Sequence, residues 1–118
     1  MVKALIIDDE TDICYLLSGI LRNKNILADQ VNSIQEARIA LKKNIPQLIF
    51  LDNHLSDGMG VGFIEYIKSI YPDTKIIMIT AYDTDSDRDR ALSSGADLFI
   101  AKPFSKEIIH QALQQFIL

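Results

Sequence analysis

Four short apolar runs constrain the fold of this chain more than any other feature of its sequence. They are ALII (4–7), LIFL (48–51), IIMI (76–79) and LFIA (98–101). None of them alternates polar with apolar residues, so each predicts a strand covered on both faces, as the strands of parallel sheets are. A weaker candidate, residues 26–31, is interrupted by Asp29 and Gln30, which is typical of an edge strand.

Apolar residues at helical spacing lie between these predicted strands. Four stripes follow the pattern of one helix face. Their members are Ile13, Leu16, Leu17, Ile20 and Leu21 in the first, Ala37, Ala40 and Leu41 in the second, Phe63, Ile64, Ile67 and Ile70 in the third, and Ile108, Ile109, Ala112, Leu113 and Phe116 in the last. Ser33 and Glu36 form a capping-box pattern that begins the second helix, and Pro72 ends the third.

Residues 84–94 predict a fifth helix of a different kind. The segment offers acidic N-capping choices and Gly95 as a stop, but only Ala91 and Leu92 as apolar contacts, so we expect it to be weakly anchored.

Strand and helix thus alternate five times. This alternation predicts a single α/β domain over residues 1–118, with a five-stranded parallel sheet, right-handed crossovers and helices on both faces.

Composition and charge argue against several classes of function. The net charge of −4 disfavours direct nucleic acid binding through a broad basic surface. Cys14 is the only cysteine, so we expect no intrachain disulfide or cysteine-rich zinc site and interpret Cys14 as a small buried residue. No apolar run approaches the roughly 20 residues of a membrane span. Met1 leads almost directly into a strand rather than a signal peptide, so we expect a cytoplasmic protein with no membrane partner.

Polar residues follow the apolar runs at the points where the strands should end. In an open α/β sheet, ligands bind beyond the carboxyl ends of the strands. The residues at these ends are Asp8, Asp9, Glu10, Asp52, Thr80, Lys102 and Pro103. Oxygen atoms from Asp8, Asp9 and Asp52 would suit Mg²⁺ with several retained waters. Lys102 would be either a counter-ion for these carboxylates or, together with Thr80, a contact for a bound phosphoryl group.

In this order and spacing, these residues resemble the receiver domain of bacterial two-component response regulators, which has a doubly wound, flavodoxin-like fold. The resemblance covers the whole chain. Its motifs are the acid pair Asp8-Asp9, the acceptor Asp52, Thr80-Ala81, and Lys102-Pro103-Phe104. Each motif is weak alone, but together they are specific.

The resemblance implies a phosphoacceptor signalling switch rather than an enzyme in the usual sense. Asp52 would take a phosphoryl group from a phosphohistidine on a sensor histidine kinase or a histidine phosphotransfer protein. Asp9, Asp52 and the backbone carbonyl of His54 would bind Mg²⁺ directly, and Asp8 would act largely through water. The domain would assist its own phosphorylation and slow dephosphorylation.

The resemblance also implies how a signal would leave the site. Thr80, Ala81 and Lys102 would contact the phosphoryl group, and the Lys102-Pro103 peptide bond is expected to be cis. Thr80 and Phe99 would form the switch that is read out through residues 84–94. The receiver of the signal would be a downstream effector protein or a fused output domain, and phosphorylation-dependent dimerisation stays open.

Some positions depart from the family or have simpler interpretations. Ser56 stands where the family often has a proline, although Gly60 matches, so we expect a mobile loop over 53–62. Asn53, His54 and Tyr82 occupy positions that tune phosphoryl lifetime in relatives.

Each acid has an ordinary explanation, because Asp8 and Asp9 would often be helix caps, Asp52 a turn residue and Glu10 a helix-start charge. Two alternatives remain. One is a phosphorylation-independent interaction module, and the other is a Mg²⁺-dependent phosphohydrolase, in which a second acid would be expected at the position of His54.

Overall fold

The computed structural model describes residues 2–81 and 84–116. Its strands are Val2–Ile7 (β1), Ile26–Val31 (β2), Leu48–Leu51 (β3), His54–Leu55 (β4), Gly58–Met59 (β5), Lys75–Thr80 (β6) and Leu98–Ala101 (β7). Its helices are Thr11–Arg22 (α1), Ile34–Lys43 (α2), Gly60–Ile70 (α3), Asp85–Ser93 (α4) and Lys106–Gln114 (α5). None of the helices within these ranges is long and apolar enough to cross a membrane.

Five of the strands form a parallel sheet in the order β2-β1-β3-β6-β7, which confirms the predicted doubly wound α/β fold. β2 is an edge strand, as its interrupted apolar pattern predicted. The carboxyl ends of β1 and β3, two of the three inner strands, are aligned, because Ile7 pairs with Leu51. The N–H of Asp52 also donates to the carbonyl of Ile7 at 2.9 Å. The residues that follow β1 and β3 are therefore neighbours.

Two apolar clusters fill the space between this sheet and its helices. One face of the sheet packs on α1 and α5, and the other packs on α2, α3 and α4. Cys14 belongs to the first cluster and is fully buried, which confirms its interpretation as a small core residue. Burial and the neighbouring charge of Asp8 raise the pKa of the Cys14 thiol to about 11, so the thiol stays protonated.

The apolar helix faces predicted from the sequence included residues that are exposed in the structure. Leu16 and Ile70 are each 51% exposed, Leu92 is 44% exposed and Ile108 is 43% exposed, so their predicted core positions were wrong. Each of these residues lies at the margin of its helix face, where the sheet leaves it uncovered. The residues that share these helices and remain buried include Leu17, Ile67, Ala91 and Ile109.

Helix α4 has the sparse packing that its sequence predicted. The Thr84 hydroxyl caps its first turn by accepting the N–H of Asp87 at 3.1 Å. Ala91 is the buried residue of this helix. Few apolar side chains therefore hold α4 against the sheet, which is the condition under which a helix opens at low free-energy cost.

Candidate functional site

Four carboxylates meet at the carboxyl edge of the sheet. Oxygen atoms of Asp8, Asp9, Glu10 and Asp52 all lie within 4.8 Å of one another. Asp8 and Asp52 are buried, whereas Asp9 and Glu10 face solvent. The first three come from the β1–α1 connection and Asp52 directly follows β3, so the pairing of these two strands creates the cluster.

Lys102 brings an ammonium group into contact with three of these acids. Its Nζ lies 2.7 Å from Oε1 of Glu10, 2.9 Å from Oδ2 of Asp8 and 3.6 Å from Oδ2 of Asp52. The Lys102-Pro103 peptide bond is cis. Burial alone would lower the pKa of Lys102, but hydrogen bonds to Glu10 and Asp8 and the charge of Asp52 raise it overall. The ammonium therefore stays charged.

The carboxyl group of Asp52 has a raised pKa in this pocket. Burial and the charge of Asp8, with a smaller contribution from Asp9, raise its pKa from 3.8 to about 6. The charge of Lys102 and a hydrogen bond from the His54 backbone N–H oppose this shift without cancelling it. Among the described residues, the Lys102 ammonium contacts three of the four clustered carboxylates, those of Asp8, Glu10 and Asp52. The oxygen donor set and its uncompensated charge fit a small hard cation such as Mg²⁺.

The Asp8 carboxylate also makes a local hydrogen bond, but it does not cap α1, because the N-cap residue of that helix is Glu10. Its Oδ1 accepts the N–H of Glu10 at 2.9 Å, next to the start of α1. The Asp8 carbonyl accepts a hydrogen bond from the Asn32 side chain at 2.9 Å, which fixes the backbone of the first acid. Asp8 is therefore both a structural acceptor and a member of the acidic cluster.

Thr80 and Phe99 lie on the same face of the sheet, beside the cluster. Thr80 ends β6 and is fully buried, and the exposed Ala81 follows it. The Thr80 carbonyl accepts the N–H of Lys102 at 2.8 Å, which ties the ends of β6 and β7 together. Phe99 is half-buried, and the Arg88 guanidinium of α4 lies 4.9 Å from the centre of its ring. Phe99 therefore joins the sheet to α4.

The connection after Asp52 contains secondary structure that the sequence did not predict. Residues 54–59 form a small antiparallel hairpin, and α3 begins at Gly60. The Asn53 side chain is buried and accepts the N–H of Val61 at 2.9 Å, so it caps α3. A Cβ atom at Gly60 would lie only 2.2 Å from the carbonyl oxygen of Asp52, which explains why glycine is required there.

His54 is half-exposed at the start of this hairpin, with its backbone N–H directed to the Asp52 carboxylate. Tyr82 lies outside the described residues.

Sequence reasoning missed two contacts in this region. Glu10 is the N-cap residue of α1, as a helix-start charge would be, but its side chain makes no capping hydrogen bond and pairs with Lys102 instead. Asp57, at the tip of the hairpin, accepts the N–H groups of Ile34 and Gln35 at 2.9 and 3.0 Å. Both contacts join residues far apart in the chain, and no local pattern indicates them.

Comparisons with known proteins show the family of this fold. The family profile described as response regulator receiver domain matches residues 4–114. The response regulator protein PilR of Pseudomonas aeruginosa is 35% identical over 95% of this chain, which spans 26% of PilR. The chain spans between about a quarter and a half of the length of such curated relatives.

Solved structures give the same result. A two-component response regulator from Clostridium difficile superposes with a TM-score of 0.95 at 32% identity, covering 99% of this chain and 96% of that one. The beryllofluoride-activated NtrC4 receiver domain dimer gives 0.92 at 34% identity, covering 98% and 95%. Together with the match over residues 4–114, these similarities show that the chain belongs to the response regulator receiver domain family.

Proposed function

We propose that this domain is a phosphoacceptor switch of a two-component system and that Asp52 is the residue phosphorylated. The observation that carries this proposal is the position of Asp52, a buried carboxylate that lies within 4.8 Å of the other three acids and 3.6 Å from the Lys102 Nζ. With a pKa of about 6, most Asp52 side chains are ionised at neutral pH and available as nucleophiles.

The donor in this proposal is a phosphohistidine on a sensor histidine kinase or a histidine phosphotransfer protein. A carboxylate oxygen of Asp52 attacks phosphorus, the P–N bond breaks, and its electron pair returns to the imidazole of the donor. The product is an acyl phosphate on Asp52. Because both reactants are anionic, the reaction needs positive charge in the pocket.

Mg²⁺ is the cofactor that we propose for this charge, with Asp9, Asp52 and the backbone carbonyl of His54 as ligands and Asp8 acting largely through water. When bound, the ion would offset the repulsion between nucleophile and phosphoryl group. Asp8 and Asp9 are placed to share it, since their oxygens lie within 4.8 Å of those of Asp52.

The remaining residues would respond to the new charge. Lys102 would exchange its contacts with Glu10 and Asp8 for a phosphoryl oxygen, and the Thr80 hydroxyl and Ala81 backbone would contact others. Movement of Thr80 would open space beside Phe99, and Arg88 over the Phe99 ring would transmit that change to α4. The outcome is a population shift between two packings.

The signal would pass to a downstream effector protein or a fused output domain, and the domain itself would work in the cytoplasm. Phosphorylation-dependent dimerisation belongs to the same proposal, supported by the dimer described for the beryllofluoride-activated NtrC4 receiver.

A phosphorylation-independent interaction module is the alternative. The intact set of Asp8, Asp9, Asp52 and Lys102 favours the switch.

A phosphoryl-analogue experiment tests the switch. Addition of Mg²⁺ and beryllofluoride should shift the backbone amide NMR signals of Thr80, Phe99 and α4 in the wild-type protein. Asp52→Asn should abolish these shifts. Signals that do not respond in the wild type, or that respond equally in the variant, would rule out Asp52 as the acceptor.

A further inference from the structure

The hairpin that follows Asp52 is tied to a helix on the neighbouring part of the sheet. Asp57 at its tip accepts the N–H of Ile34 on Oδ1 at 2.9 Å and the N–H of Gln35 on Oδ2 at 3.0 Å. These are the first two amides of α2, and such amides have no acceptor within their own helix. The two bonds lower the pKa of the Asp57 carboxyl, so it accepts them as a carboxylate.

The hairpin needs such an anchor because its own pairing is short. It consists of two residue pairs, His54 with Met59 and Leu55 with Gly58. An isolated two-stranded hairpin is marginal at best in water. Its tip also packs closely on α2, since a Cβ atom at Gly58 would lie 3.0 Å from Cδ1 of Ile34. The contact with α2 therefore adds order that the hairpin's own pairs do not supply.

We propose that Asp57 is a positioning residue for the Mg²⁺ site. Its carboxylate fixes the hairpin to α2, and the hairpin begins with His54, whose backbone carbonyl is one of the proposed ligands. This inference rests on the proposed function. Without the anchor, His54 samples more conformations, and the apparent Mg²⁺ affinity falls in proportion to the fraction that remains competent to bind.

The same helix end offers a matched control. The Ser33 hydroxyl accepts the N–H of Glu36 at 3.1 Å, so Ser33→Ala weakens the start of α2 without removing a contact to the hairpin. A purely structural role of Asp57 would make the two variants behave alike. A positioning role separates them.

The experiment is a titration with Mg²⁺ alone, followed through backbone amide NMR signals around Asp9, Asp52 and His54. Asp57→Ala should raise the dissociation constant by about tenfold, the lower end of the losses seen when a group that orients a metal ligand is removed. Asp57→Asn keeps one acceptor oxygen and should show a smaller loss. Ser33→Ala should lower the thermal midpoint but bind Mg²⁺ as the wild type does. Before Mg²⁺ is added, amide exchange at His54 and Met59 should be faster in Asp57→Ala.

Each result supports or overturns the positioning role. Wild-type affinity in both Asp57 variants, or an equal loss in Ser33→Ala, would overturn it and leave the proposed function intact. Absence of Mg²⁺-dependent shifts in the wild type would overturn both. If Asp57→Ala does not fold, the comparison of Asp57→Asn with Ser33→Ala separates a positioning role from a structural one in the same way.

Discussion

Substitution of the proposed acceptor should stabilise the metal-free protein. Burial and the charge of Asp8 raise the Asp52 pKa from 3.8 to about 6, a shift of about two units. At about 1.4 kcal/mol per unit, ionised Asp52 costs the folded state up to about 3 kcal/mol. Asp52→Asn keeps the shape of the side chain and removes this cost. For a domain of this size, the expected rise in the thermal midpoint at pH 7.5 is roughly 10 °C.

The sign of the pH dependence follows from the direction of the shift. The folded protein holds the Asp52 proton more tightly than the unfolded chain does. The stabilisation that comes from this bound proton is therefore complete below about pH 4. It is lost as the pH rises through about 6. The advantage of Asp52→Asn over the wild type should therefore be small at pH 4.5 and largest above pH 7.

Urea denaturation in EDTA at several pH values measures this difference directly. Asp73→Asn is the control, since Asp73 is an exposed carboxylate beside the start of β6, at the opposite edge of the sheet. A wild type as stable as Asp52→Asn at pH 7.5, or a difference that does not grow between pH 4.5 and 7.5, would refute the electrostatic reasoning.

Three further predictions test the pocket. Mg²⁺ at ten times its dissociation constant should stabilise the wild type by about 1.4 kcal/mol in the same denaturation assay and leave Asp52→Asn nearly unchanged; equal stabilisation of both would place the ion elsewhere. Glu10→Gln should remove one of the ion pairs of Lys102 and tighten beryllofluoride binding about twofold by NMR titration, a small effect because the Glu10 side chain is 58% exposed and its 2.7 Å ion pair is weak. Weaker binding would instead make Glu10 part of the cation site. Gly60→Ala should lower the unfolding free energy by at least about 2 kcal/mol, because its Cβ would collide with the Asp52 carbonyl; wild-type stability would contradict that close approach.

The sheet was predictable because parallel strands are buried on both faces. Runs such as 48–51 and 98–101 are apolar throughout, and each became a strand with the same bounds. The convergence of Asp8, Asp52 and Lys102 was predictable for a related reason. Parallel strands end at one edge of the sheet, so polar residues that follow different strands meet there.

The features that sequence did not predict depend on tertiary packing. Leu16 and Ile108 continue their apolar stripes, but the width of the buried face is set by how closely each helix approaches the sheet. The hairpin at residues 54–59 is stabilised by Asp57, whose partners lie more than 20 residues earlier in the chain. Glu10 and Lys102 are 92 residues apart in the chain, so no local pattern indicates their contact.

The most direct test of the phosphoacceptor proposal is the chemistry of Asp52 itself. The protein is incubated with Mg²⁺ and a small-molecule phosphoramidate, and intact mass spectrometry with peptide mapping then locates any phosphoryl group. We predict one phosphoryl group on Asp52, no modification without Mg²⁺, and none in Asp52→Asn. An unmodified wild type, or equal modification of the variant, would show that this pocket does not accept a phosphoryl group at Asp52.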